Sequence, residues 1–462
     1  MSFQIYAPGV HLFAYHLRQT EPNQNRALLD RGEAILNSFG IQQSIKIKDR
    51  EGYRVNLLET QTEENASLGF KRWTHSPLIG IAYPVRLHDT YALALNVRRP
   101  EKDQEDHKTE TVPVEFFREL HAHDCWLPTP DNSFLGQTTL LTAWYTPEKT
   151  WQFWKSRKNK KNLKELADKC LQAFLPPHFP EPPLYRTGEL FDSPIFEYGN
   201  FERESNNCQI LVWIFCTPET DEKLSEQYSN LLDLFCHRHK VVKAYQDTGE
   251  VKQLLNKKLQ QIEQEITTYE DLPIETSLTL TNLRNLKSQL KRLPRLSFDY
   301  EDALGLFSNY LITLEANAQN YERELEQIYQ QLPEDDLKFL ASFSQNYRLF
   351  QSQIQLEINY FQAAGKPIEK ALEAIRGRLQ TEQAERDRSL ETKIQFLGVG
   401  LATTATVSAA IGAYKEVPYT INTQKPLNPH PTVINLLVSL IVGAIAGFIT
   451  WLIVRPRDRS SK

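Results

Sequence analysis

Two long stretches without a single Asp, Glu, Lys or Arg, residues 394–414 and 433–454, lie near the end of the sequence and constrain it more than any other feature. Each is about long enough to cross the ~30 Å hydrocarbon core as a helix rising ~1.5 Å per residue. A segment in lipid has no water to satisfy its backbone, so the expectation is a C-terminal two-helix transmembrane hairpin over 394–454, followed by a basic tail, 455–462. Arg376, Arg378, Arg386, Arg388 and Lys393 precede the first stretch, and Arg455, Arg457, Arg459 and Lys462 follow the second, whereas the loop between them holds only Lys415 and Lys425. The positive-inside rule then places both termini in the cytoplasm, with the chain in the inner, cytoplasmic membrane. Gly443 and Gly447 form a GxxxG, the small-residue spacing that lets helix backbones approach in lipid, and the first stretch carries Gly398, Ala402, Thr406, Ala409 and Ala410. The first residues, MSFQIYAPGVHLF, show no basic leader or cleavage site, so residues 1 to about 390 are expected to stay cytosolic.

At 462 residues the chain is long enough for more than one ordinary domain. A net charge of −5 with dispersed lysines and arginines gives no nucleic-acid footprint. Cys125, Cys170, Cys208, Cys216 and Cys236 are odd in number and contain no C-x-x-C pair, which suits reduced thiols and neither a disulfide framework nor a structural zinc site.

Residues 1–248 alternate strand-like and helix-like runs. Residues 9–17, 91–97, 138–145 and 209–216 are rich in β-branched, aromatic and aliphatic side chains. Two of these runs end alike: Thr146-Pro147-Glu148 and Thr217-Pro218-Glu219 each offer a Thr N-cap, a Pro at the first helical position and an acidic first turn. After the first run, an amphipathic segment carries Leu28, Leu29, Ala34, Ile35 and Leu36. The pattern predicts an α+β recognition domain, with a hint of two related halves. From 249 to 393 it changes to heptads. Leu304, Phe307, Leu311, Leu314, Ala318, Tyr321, Leu325, Ile328 and Leu332 keep 3-4 spacing. Pro333 stops that helix, and a returning one carries Leu340, Phe343, Tyr347, Phe350, Ile354, Ile358 and Phe361, with a break or kink expected at Gly365-Lys366-Pro367. This helical rod reads either as an intramolecular antiparallel hairpin or bundle, or as an intermolecular coiled coil.

Few clusters carry chemistry. In His121-Ala122-His123-Asp124-Cys125 the two imidazoles would share a strand face, but a third and fourth metal ligand are missing, and a polar turn explains the same residues. Cys236-His237-Arg238-His239-Lys240 lies in an apolar-periodic helix; adjacent helical positions diverge by roughly 100°, so a Cys/His catalytic pair is disfavoured against a helix with a basic solvated face. Lys155-Ser156-Arg157-Lys158-Asn159-Lys160-Lys161, beside Trp151 and Trp154, reads as a solvated loop or as a contact to an anionic leaflet. No nucleotide-binding or hydrolase signature appears, so no catalytic residue, cofactor or metal is expected.

Long helices feeding two apolar stretches resemble CorA-type magnesium channels in architecture, but Gly412-Ala413-Tyr414-Lys415 stands where that family carries Gly-Met-Asn. A second resemblance covers roughly residues 5–255. Val10-His11-Leu12-Phe13-Ala14, the stretch from Gly188-Glu189-Leu190 to Phe196-Glu197-Tyr198, Ile210-Leu211-Val212-Trp213-Ile214-Phe215, and Leu234 to Lys240 with Ala244-Tyr245 resemble the caspase- and TPR-repeat-associated domain of predicted prokaryotic conflict systems. That resemblance implies a non-enzymatic signalling or defence adaptor beside a separate effector, such as a caspase-like protease or a repeat-containing protein. On the sequence, such an adaptor would be anchored in the bilayer, cytoplasm-facing and homo-oligomeric, with no nucleic-acid partner. A membrane-permeabilising effector or ion channel gated by the soluble part is the alternative.

Overall fold

The computed structural model describes residues 3–19, 26–39, 52–57, 66–73, 76–121, 126, 133–145, 157–177, 179–199, 207–272 and 278–412, with scattered positions between 437 and 449. The chain divides into two compact units, Met1–Leu259 with Asp299–Ala364, and Gln260–Phe298 with Gly365–Lys462.

The first unit is built on a mixed sheet. Its strands are β1 (Gln4–Leu17), β2 (Arg54–Asn56), β3 (Ala66–Trp73), β4 (Ser76–Leu87), β5 (Thr90–Arg98), β6 (Val112–Pro113), β7 (Phe134–Tyr145), β8 (Leu184–Leu190), β9 (Ser193–Tyr198) and β10 (Cys208–Phe215). The spatial order is β2-β4-β5-β1-β7-β10-β9-β8, with β3 on β4 and β6 on β1. Only β7 and β10 pair in parallel among the described ladders. β7 and β10 are buried almost end to end, which explains their near-continuous apolar runs: a central strand covered on both faces has no reason to alternate.

Residue parity sorts the two faces. Val10, Leu12, Ala14, Leu141, Ala143, Ile210, Val212, Ile214, Phe196 and Tyr198 share a core with α1 (Ala27–Ser38), α2 (Phe117–Leu120) and α3 (Arg157–Phe174). The alternate residues meet α4 (Pro218–Glu226) and the first part of α5 (Tyr228–Glu270). Phe13 packs on Phe235 and Tyr228 at ring-centroid distances of 5.3 and 5.1 Å, and the Tyr15 hydroxyl donates to the Leu232 carbonyl at 2.7 Å. α4 opens as its sequence dictates: Thr217 is extended at φ −134°, Pro218 holds the first turn, and Glu219 and Asp221 place acid at the positive end of the helix. The matching Thr146-Pro147-Glu148 lies outside the described residues.

In the same unit α5 is enclosed from its other side. α6 (Leu280–Gln331), α7 (Lys338–Ala341) and α8 (Phe343–Gly412) follow. Phe307, Leu311, Leu314, Ala318, Tyr321 and Ile328 of the heptad seam are buried, as are Leu340, Phe343, Tyr347, Phe350, Ile354, Ile358 and Phe361 of the returning segment. Leu304, Leu325 and Leu332 are half-buried. Tyr321 and Tyr300 donate to the Leu340 and Phe361 carbonyls at 2.8 and 2.7 Å, and Tyr245 of α5 stacks on Phe350 at 4.0 Å. In the second unit Glu382 accepts from the Leu278 amide at 3.2 Å, Arg386 donates to the Leu278 carbonyl at 2.6 Å, and Gln289 donates to the Glu265 carbonyl at 3.0 Å.

Two sequence expectations are corrected here. Among the described residues no helix is long and apolar enough to cross a membrane, so the C-terminal transmembrane hairpin, and with it the expected cytoplasmic-membrane location and orientation, is not supported. The stretch 394–412 does continue in helix, as the last part of the 70-residue α8, but most of its side chains, like most of 433–454, lie outside the described residues. Gly443 and Gly447 are also outside them. The second correction concerns the expected break or kink at Gly365-Lys366-Pro367: the helix does not break, since α8 runs on through Pro367, which costs it one helical hydrogen bond while Ile368 and Ile375 are buried in the turns that follow.

Candidate functional site

The stretch Cys236–Lys240 is where the sequence and the folded chain differ most. Cys236, His237, Arg238 and His239 are all buried, so the expected basic solvated face is instead the inner layer of the first unit. α5 presents Arg238 and His239 to the sheet and neighbouring helices at once. Glu197, on β9, resolves the charge. It accepts from Arg238 at 3.0 Å and Gln209 at 2.6 Å, and pairs with Arg186 of β8. His239 lies 2.8 Å from the Thr138 hydroxyl through Nε2 and 3.1 Å from Asn207 Oδ1 through Nδ1. Gly136 makes room for this ring: its φ is +152°, and a Cβ there would collide with His239 and Asn207.

Burial sets the protonation of these groups. It pushes His239 well below the ordinary imidazole value, with Arg238 adding to the effect, and it lowers His237 to about 4 and His11 to about 3, the latter with help from Arg98. Burial raises the Cys236 and Cys216 thiols to about 12 and the Cys170 thiol further still. Neutral imidazoles beside protonated thiols in a closed core make poor nucleophile–base pairs, since the thiolate is the attacking form. Among the described residues no group of three or more His, Cys, Asp and Glu side chains has the arrangement to hold a metal ion. Of the cluster 121–125 only His121 is described, with its ring edge-on to Phe174 at 4.7 Å; His123, Asp124 and Cys125 lie outside the described residues.

An open concavity of the unit lies elsewhere. A groove of about 810 Å³ runs along β8 and is lined by Lys161, Lys164 and Leu163 of α3, by Arg186 to Glu189 of β8, and by Asp336, Lys338, Phe339 and Ser342. Lys161 comes from the basic run that the sequence singled out; Lys155 and Ser156 are outside the described residues. Gly188 is required where Phe339 crosses the strand, because a Cβ would stand 2.7 Å from the ring. The same ring carries the Arg186 guanidinium 4.3 Å from its centroid, and Ser342 also contacts that guanidinium. Sequence reasoning missed this site. The basic run and the stretch from Gly188 were each singled out for other reasons, but β8 is too polar to be picked out as a strand that would bring them together.

Comparisons with known proteins add little. No family model matches the chain, and no curated protein matches it. The solved structure of the full-length CmaX protein is similar at 12% identity over 71% of this chain and 90% of that one, with a TM-score of 0.20, too low to support any argument about fold or function.

Proposed function

We propose that the chain is a non-enzymatic recognition protein, an adaptor whose first unit binds a partner and brings it to a separate effector. One observation carries this reading: a groove of the sheet-bearing unit lies along a strand and is lined by main chain, aromatic rings and side chains of both charges, whereas Cys236, His237 and His239 of α5 are buried away from it. The resemblance of residues 5–255 to the caspase- and TPR-repeat-associated domain supports the same class and names a caspase-like protease as the effector to try. The channel alternative needs membrane-crossing helices, and among the described residues no helix is long and apolar enough to be one.

The test is a reconstitution. Purified full chain is added to a caspase-like protease from the same genome, and cleavage of a fluorogenic peptide is followed. The adaptor reading expects the chain alone to stay at buffer background and the mixture to cleave faster than the protease alone. Turnover by the chain alone that disappears in Cys236→Ser would replace the adaptor with a hydrolase.

A further inference from the structure

The last strand of the sheet is open on one side, and the groove wraps that side. β8 ends the strand order, with β9 as its only strand neighbour among the described residues. The hairpin between them fixes which groups face outward. Phe191 and Asp192 form a two-residue turn with φ of +48° and +59°, the signature of a type I′ turn, so the flanking pair Leu190↔Ser193 is hydrogen-bonded. Alternation then makes Glu189↔Pro194 a non-bonded pair, which suits a proline with no N–H to give, and makes Gly188↔Ile195 bonded again. Thr187, paired with Phe196, falls in the outward set: its N–H and C=O point away from β9. Thr187 is also exposed.

The groove reaches this edge from both faces of the sheet. Arg186 and Gly188 share the face covered by Phe339 and Ser342, whereas Thr187 and Glu189 share the opposite face with Phe196 and α3, and all of them line one space. A cavity that straddles a strand edge between two flanking helical segments has the shape of a slot for another strand. Its lining holds Lys161, Lys164, Arg186 and Lys338 against Glu189 and Asp336; Arg186 is committed to Glu197, while Lys164 and Lys338 hold only exposed pairs, with Asp168 and Asp336, that an incoming carboxylate can exchange.

Resting on the recognition reading above, we propose that β8 takes up an extended, acidic segment of a partner protein as an added strand. The main chain of Thr187 supplies hydrogen bonds, alternate side chains of the segment meet Phe339 on one face and Leu163 and Phe196 on the other, and the lysine rim selects for acid. The charges on β8 that would otherwise only discourage edge-to-edge aggregation become selectivity elements.

A fully randomised octapeptide library panned on the full chain, with selected peptides measured by fluorescence anisotropy, tests this. The expected result is enrichment of Asp and Glu and affinity that falls about five- to tenfold in Thr187→Pro, a change an edge strand tolerates because the lost N–H faces outward. Lys161→Glu should weaken binding most at low salt. Should Thr187→Pro misfold, N-methylation of alternate peptide nitrogens asks the same question on native protein and should abolish binding. Failure to enrich any peptide overturns the proposal. So does binding indifferent to both Thr187→Pro and N-methylation, which would mean a side-chain anion site. A dimer in sedimentation that Thr187→Pro dissolves would make the occupant a second copy of the chain and overturn the acidic partner. Each of these leaves the adaptor reading standing if protease activation persists, whereas loss of activation with intact peptide binding condemns that reading alone.

Discussion

Glu197 is the residue on which the interior of the first unit turns. Removing one partner of a buried pair leaves the other charge uncompensated, at a cost of ~3–5 kcal/mol, whereas replacing a buried cation by an apolar side chain of similar length is often mild. Glu197→Ala strands both Arg186 and Arg238, while Arg238→Met leaves Glu197 its Arg186 and Gln209 partners. Urea denaturation should therefore find Glu197→Ala the more damaging of the two, and the reverse order would contradict the charge assignment. The buried histidines make a second prediction. His11, His237 and His239 have folded values depressed below the ordinary 6.5, so the unfolded chain takes up their protons first. Their contribution is complete above about pH 6.5 and is lost as pH falls toward the depressed values, at ~1.4 kcal/mol per pH unit for each histidine. Stability measured by urea titration between pH 7 and pH 5 should fall along that slope, and His239→Gln should flatten it. Little of this was legible in the sequence, because the carboxylate that neutralises Arg238 of α5 lies on strand β9, 41 positions upstream.

At the scale of elements, legibility followed burial pattern. β1, β5, β7 and β10 were readable as β-branched and aliphatic runs because both of their faces are covered. β4 and β9 were not, since Pro84 sits in the interior of one and Pro194 near the start of the other, positions that argue against a strand until the pairing is known. α5 misled for the opposite reason: periodicity finds a helix with one buried stripe, and this helix is enclosed on several sides. Two substitutions check the helical packing. Phe307 is fully buried and Leu306 beside it is 44% exposed, so Phe307→Ala should cost ~3–5 kcal/mol and Leu306→Ala under ~1 kcal/mol in thermal or urea unfolding. Equal effects would mean that the seam faces the wrong way. Gly136→Ala adds a Cβ at φ +152° against His239 and should destabilise by ~2 kcal/mol or more.

Across the whole molecule, the sheet-bearing unit is discontinuous in sequence. It closes only when residues 299–364 return to cover α5. A fragment ending at residue 259 would leave Tyr245, His237 and Arg238 without Phe350, Asn317 and Phe343 and should bind a hydrophobic dye or aggregate where the full chain does not. The sheet-bearing unit encloses Glu197, Arg238 and His239 and leaves β8 as an edge of the sheet among the described residues. Amide hydrogen exchange on the free full chain tests that edge most directly. If β8 is the open edge, the Gly188 amide is protected by its bond to β9 while the Thr187 amide exchanges at close to the rate of an unstructured peptide. A Thr187 amide as strongly protected as Gly188 would show the edge already occupied and would contradict the assignment of β8 as the site where a partner strand is received.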